Sequence, residues 1–89
     1  MRQPIADYDS EMNLSVPAGS AVTSILVDVD LAPKDGSCMI YGITPEGHTE
    51  CVTVRGGHSQ VNLPFAHPKI YVKHIGWLDH VWIGTIGHQ

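Results

Sequence analysis

Six histidines in 89 residues are the first feature that could carry chemistry: His48, His58, His67, His74, His80 and His88. A catalytic zinc site commonly takes two ligands from one element, as His-x-His or as the helical H-E-x-x-H. None of the six stands in such a spacing. The tightest local group is Glu46, His48 and Glu50, on or beside one turn. Scattered surface histidines are the expectation, with no metal and no other cofactor.

Cysteine and carboxylate chemistry fare no better. A Cys–His nucleophile needs the thiol beside a base that a third group orients. Cys51 and His58 share a face in the hairpin register derived below, but several residues apart. Asp28 and Asp30 lie two apart on one strand, which puts their Cα atoms roughly 6.5–7 Å apart. A calcium site or hydrolytic pair is conceivable there, but the EF-hand loop pattern is absent. An acidic face guarding a sheet edge is the simpler expectation. Gly56-Gly57 has no helix after it and so is no phosphate loop. The chain is expected to be no enzyme and to take no small-molecule substrate.

The chain is short enough for one domain. Such a domain buries only about 60–65% of its unfolded surface, so its own core is thin. Small folds of this kind usually gain a staple from disulfides, a metal or oligomerisation. Charged residues make up 16% of the chain, against about 25% in typical soluble domains, which points to a surface partly covered by a partner. The net charge is −4. No basic stripe exists to hold phosphates, so nucleic acid is not an expected partner. Residues 1–36 hold six acids and two bases, whereas residues 37–89 hold three of each. No run approaches the ~20 apolar residues of a membrane-spanning helix. The start, Met1-Arg2-Gln3-Pro4-Ile5-Ala6-Asp7, lacks the apolar core of an export signal. Synthesis in a cytoplasm and reduced Cys38 and Cys51 are the expectation.

Turn signals recur densely: Pro17-Ala18-Gly19-Ser20, Pro33-Lys34-Asp35-Gly36, Pro45-Glu46-Gly47-His48, Gly56-Gly57, Pro64 to Pro68 and Gly76-Trp77-Leu78-Asp79. Short runs rich in Val, Ile, Thr and Tyr separate them, and no sustained 3.6-residue period appears. This pattern predicts an all-β fold: a small antiparallel β-sandwich or jelly-roll-like domain of about seven strands. The expected strands are 13–16, 22–31, 37–43, 50–55, 58–63, 69–75 and 80–86. Residues 1–11 read as an extended N-terminal arm, and residues 12–89 as the β-sandwich domain.

Three registers follow. With Gly56-Gly57 as a two-residue turn, Val54 faces Ser59 and Val52 faces Val61. Val52, Val54, Val61 and Leu63 then form the core face, and Cys51, Thr53, Arg55, His58, Gln60 and Asn62 the solvent face. With Trp77-Leu78 as the last turn, Ile75 faces His80 and Lys73 faces Trp82. The core face there is Ile70, Val72, Val81 and Ile83; the other carries Tyr71, Lys73, Ile75, His80, Trp82 and Ile86. With Pro45–His48 as a four-residue loop, Cys38 faces Arg55 and Cys51 faces Gly42, too far apart for a disulfide.

Two contact surfaces result. The mixed face of the last hairpin, Tyr71, Lys73, Ile75, Trp82 and Ile86, has the composition of an interface core, with Lys73 placed to lie across Trp82. It equally suits the second side of a sandwich core. The arm offers Ile5, Asp7, Tyr8, Asp9 and Glu11 as a second set of contact candidates.

The chain resembles the small all-β structural proteins of tailed-phage virions, above all capsid decoration (cement) proteins. The resemblance rests on the length, on Ile5-Ala6-Asp7-Tyr8-Asp9, on the stretch from Val52-Thr53-Val54-Arg55-Gly56-Gly57 to Val61-Asn62-Leu63-Pro64-Phe65, and on Ile70-Tyr71-Val72 with Val81-Trp82-Ile83-Gly84. It implies a homotrimeric domain on the capsid exterior, bound to a major capsid protein and clamping neighbouring capsomers. No functional residue is carried over by motif. The competing expectations are a head-fibre, tail or baseplate component, a carbohydrate-binding β-sandwich using Trp77, Trp82 and Tyr71, and a small metal-dependent enzyme of cupin type.

Overall fold

The computed structural model describes residues 2–5, 9–16, 22–75 and 80–89, with side chains for 11–16, 22–73 and 81–89. The described chain is all β, without a helix. Its strands are β1 (Arg2–Ile5), β2 (Asp9–Asn13), β3 (Ile25–Ala32), β4 (Ser37–Ile43), β5 (Thr49–Arg55), β6 (Gly57–Leu63), β7 (Lys69–Ile75) and β8 (His80–His88). They form two antiparallel four-stranded sheets, ordered β1-β8-β3-β6 (sheet A) and β2-β7-β4-β5 (sheet B). Except for β4 and β5, successive strands belong to different sheets.

β3 shows why these residues make strands. Ile25, Val27, Val29 and Leu31 are buried, whereas Leu26, Asp28 and Asp30 alternate outward. β-branched side chains at every second position suit a pleated surface with one buried face. β4 does the same for sheet B through Cys38 and Ile40. The inward side chains of both sheets, with Phe65 and Leu14, make one core. Full burial of each large aliphatic contributes about 1.5–3 kcal/mol.

From residue 22 onward the expected strands coincide with β3 to β8, those at 37–43 and 69–75 to the residue. The expected strand 13–16 overlaps β2 only at Asn13. Beyond it Leu14 donates its N–H to Pro68 O (2.8 Å) and Ser15 donates its own to Thr85 Oγ1 of the other sheet (2.9 Å). Within the expected arm, residues 2–5 and 9–11 are extended, and they pair with β8 and β7. Asp7 and Tyr8 lie outside the described residues, as do the expected turns at 17–20 and 76–79.

Both long hairpin registers are corrected. β5 pairs with β4, not β6, and β6 pairs with β3. β7 pairs with β2 and β4, and β8 with β1 and β3. The Gly56-Gly57 signal marks a passage between sheets, not a hairpin turn. The β4–β5 hairpin does form, but its loop is 44–48, closed by Thr44 N–H to His48 O and Gly47 N–H to Thr44 O. That shifts the register by one: Cys38 faces Val54, and Tyr41 faces Cys51.

Candidate interaction surfaces

Since the two sheets share one core, their outer faces point to opposite sides of the molecule. Tyr71, between buried Ile70 and Val72, and Lys73, after Val72, project from sheet B. Trp82 projects from sheet A, between buried Val81 and Ile83. The single mixed face expected for the last hairpin is therefore divided: Tyr71 and Lys73 stand on one side, Trp82 and Ile86 on the other, and Lys73 does not lie across Trp82. The Ile75 side chain and Trp77 lie outside the described residues.

On sheet A, Asp30 sits in register between His58 of β6 and Trp82 of β8. His58 Nε2 hydrogen-bonds Asp28 Oδ1, one register step along. The register of β3 against β8 shifts between Leu26 and Val27, which leaves Ile86 as the extra residue of a bulge. Ile86 is 49% exposed and Trp82 36%.

On sheet B, Tyr41 of β4 stands directly opposite Tyr71 of β7. Their ring centroids are 6.3 Å apart and their planes tilted by 59°. With Ile43, 40% exposed, they line a groove of about 190 Å³ rimmed by Glu11 and Lys69. Those two form an ion pair at 3.6 Å, exposed and so worth little. The Tyr41 hydroxyl donates to Met39 Sδ at 3.6 Å. Partial burial raises the Tyr41 phenol above its ordinary value, and Cys51 across the strand adds to the shift. Tyr41 and Ile43 were missed as contact candidates, although their outward parity on the strand 37–43 was available in the sequence.

The other candidates separate. Cys38 points into the core and Cys51 outward; both are free thiols, on opposite faces of one sheet. Burial raises the Cys38 thiol to about 11, with Cys51 adding to the shift. Cys51 and His58, expected on one face, stand on different sheets and form no nucleophile–base pair. His67 and His88 are exposed at separate positions, and Glu46, His48 and Glu50 are exposed on or beside the 44–48 loop; the side chains of His74 and His80 are not described. Among the described residues no three His, Cys, Asp or Glu gather in a group that could hold a metal ion. Of the arm candidates, Ile5 lies on β1, and Asp9 and Glu11 on β2. A scan against protein-family models, a search of curated proteins and a search of solved structures each found no match to this chain.

Proposed function

We propose that the chain is a non-enzymatic virion structural protein, a capsid decoration (cement) protein that forms a homotrimer on the capsid exterior and stabilises the lattice through the major capsid protein. The observation that carries this is where its exposed large hydrophobics lie. Among the described residues they are Ile43, Tyr71, Trp82 and Ile86, and all four stand on the two outer sheet faces. A thin-cored domain with apolar residues on both broad faces is suited to contacts on both sides. Assembly adds the stability that its own core lacks, and many weak copies on a lattice bind strongly together.

We read the strand order as a jelly-roll sandwich of two Greek keys, an architecture that viral capsid domains share with lectins and cupins. Architecture alone does not choose among these. The resemblance described above favours the capsid. The position of Tyr71 and Trp82 on opposite faces disfavours a single sugar platform. A head-fibre, tail or baseplate position remains the nearest alternative.

β1 and β2 occupy the edges of the two sheets, so residues 2–5 and 9–11 are offered to the capsid as paired edge strands. Charge reversal tests this better than deletion, which would remove two strands. The experiment is co-sedimentation of purified protein with capsids of its source phage, alongside light scattering for mass. A trimer that pellets at a fixed ratio to capsid protein, and loses capsid binding with Asp9→Lys and Glu11→Lys together, is the expected result. A monomer that stays in the supernatant overturns the proposal.

A further inference from the structure

We propose that the cleft between the β3–β4 turn and the end of β5 is a binding site for a single carboxylate, presented by an acidic side chain of a neighbouring protein. The inference does not depend on the capsid proposal. The cleft has a volume of about 370 Å³ and is lined by Lys34, Asp35, Gly36, Ser37, Thr53 and Arg55.

The chain has five basic residues, and two of them converge here. Lys69 is engaged by Glu11. Lys34 and Arg55, both exposed, have no carboxylate within ion-pair distance among the described residues. Ser37 and Thr53 add two hydroxyl donors to the same lining. A guanidinium and an ammonium with neutral hydroxyls in the same lining match an oxyanion, and the guanidinium can grip a carboxylate with two parallel hydrogen bonds.

The backbone builds the cleft. Residues 33–36 form a turn closed by Gly36 N–H to Pro33 O (2.9 Å), and Gly56 N–H donates to Gly36 O (2.7 Å). Gly56 packs so closely that a Cβ there would stand 2.5 Å from Pro33 O and 2.6 Å from Lys34 O. Two of the connections that carry the chain between sheets, β3–β4 and β5–β6, are thus held together by backbone contact. Lys34 and Arg55, 21 residues apart in sequence, are fixed at one rim. In register, Ser37 stands opposite Arg55, which aligns hydroxyl and guanidinium on one face.

Asp35 sets the charge of the guest. Two cations and one carboxylate leave a single positive charge, which one carboxylate balances. A phosphate monoester carries about −1.5 to −2, and a nucleic-acid backbone needs a track of cations; both suit this cleft less well.

The test is an NMR titration of the ¹⁵N-labelled chain at constant ionic strength. The probes are acetate, a terminally blocked peptide with one Glu, and inorganic phosphate. Amides of Gly36, Ser37, Thr53 and Arg55 should shift saturably with the peptide at roughly millimolar Kd, and phosphate should bind no tighter. Lys34→Gln and Arg55→Gln should each weaken peptide binding about fivefold, whereas Asp35→Asn should tighten it about twofold. Lys73→Gln, a cation on the same outer face but outside the cleft lining, should change nothing. All four positions are exposed, and the amide spectrum reports whether each variant is folded. Tighter phosphate binding would overturn the carboxylate assignment. The absence of saturable shifts, or an equal loss with Lys73→Gln, would overturn the site.

Discussion

The ring of Phe65 lies where a side chain on Gly42 would be. A Cβ built on Gly42 would come within 2.5 Å of the ring's Cγ, and Phe65 is fully buried. Gly42 is the inward position that follows Cys38 and Ile40 on β4, so the aromatic ring fills the volume that a third aliphatic would have occupied. Ala66 N–H donates to Ile43 O at 2.8 Å, which pins the segment after Phe65 to the end of the same strand. Gly42→Ala should therefore cost about 1–3 kcal/mol through overpacking, and Phe65→Ala about 3–5 kcal/mol through a cavity. Because the two residues contact each other, the costs should not add. Gly42→Ala combined with Phe65→Leu should be more stable than the sum predicts, as read from urea midpoints. Strict additivity would show that the ring adjusts elsewhere.

Gly56 and Gly57 are adjacent but should respond differently. Gly56 meets backbone carbonyls of residues 33 and 34, which cannot rotate away as a side chain would. Gly57 has φ of +100° and open space around its missing Cβ. Gly56→Ala should force the two connections apart, lowering stability by 2 kcal/mol or more on the scale of overpacked sites, about 1–3 kcal/mol. Gly57→Ala should cost only the conformational penalty of a left-handed residue, about 1–2 kcal/mol. Thermal unfolding of both variants checks the order. Equal losses would mean that the carbonyl contacts at Gly56 are relieved by a small backbone shift.

These glycines also mark where the sequence was legible and where it was not. Alternation along β5 and β6 correctly placed Val52, Val54, Val61 and Leu63 inward and Thr53, Gln60 and Asn62 outward. A period of two reports which face a residue takes, and that holds whichever strand lies alongside. Pairing needs different information. Gly-Gly between two alternating runs signals a tight hairpin, yet here the same freedom at Gly57 carries the chain from sheet B to sheet A. Both orderings leave the inward residues in one core, so local patterning could not tell them apart. Tyr71 and Trp82 were misjudged for the same reason: their outward parity was right and their common face was not. The Lys34–Arg55 cleft depends on two connections meeting in space, which no local pattern encodes.

The division of that face makes a prediction about assembly. If both sides of the molecule take part in contacts, Trp82 and Tyr71 should act independently, because they stand on opposite sheets. Trp82→Ser and Tyr71→Ser should each weaken self-association or capsid binding while the chain stays folded, at a cost in monomer stability of about 1–2 kcal/mol for the part of each ring that the sheet covers. If the contact between copies uses one sheet only, one substitution should abolish the oligomer and the other should leave it intact. Light scattering across a concentration series, with capsid co-sedimentation in parallel, distinguishes the two. Unchanged association and capsid binding in both variants would remove the outer faces from the proposed function.

Cys38 and Cys51 should differ in reactivity and in their effect on stability at high pH. Cys51 is exposed and should react with a thiol reagent in the folded protein, while Cys38 should react only when the chain opens. Burial raises the Cys38 thiol from 9.0 to about 11. The folded state thus holds its proton over a range in which the unfolded chain releases it, so the unfolded state binds fewer protons there. Stability from this group is complete below pH 9 and declines as pH rises from 9 to 11. At about 1.36 kcal/mol per pH unit the full loss is on the order of 2–3 kcal/mol. Cys38→Ala should lower stability at neutral pH by leaving a small void, but should flatten the decline between pH 9 and 11. Denaturant unfolding of both proteins at pH 8, 9, 10 and 11 measures this, about the range set by the two values. Parallel curves would show that the buried thiol does not govern alkaline unfolding.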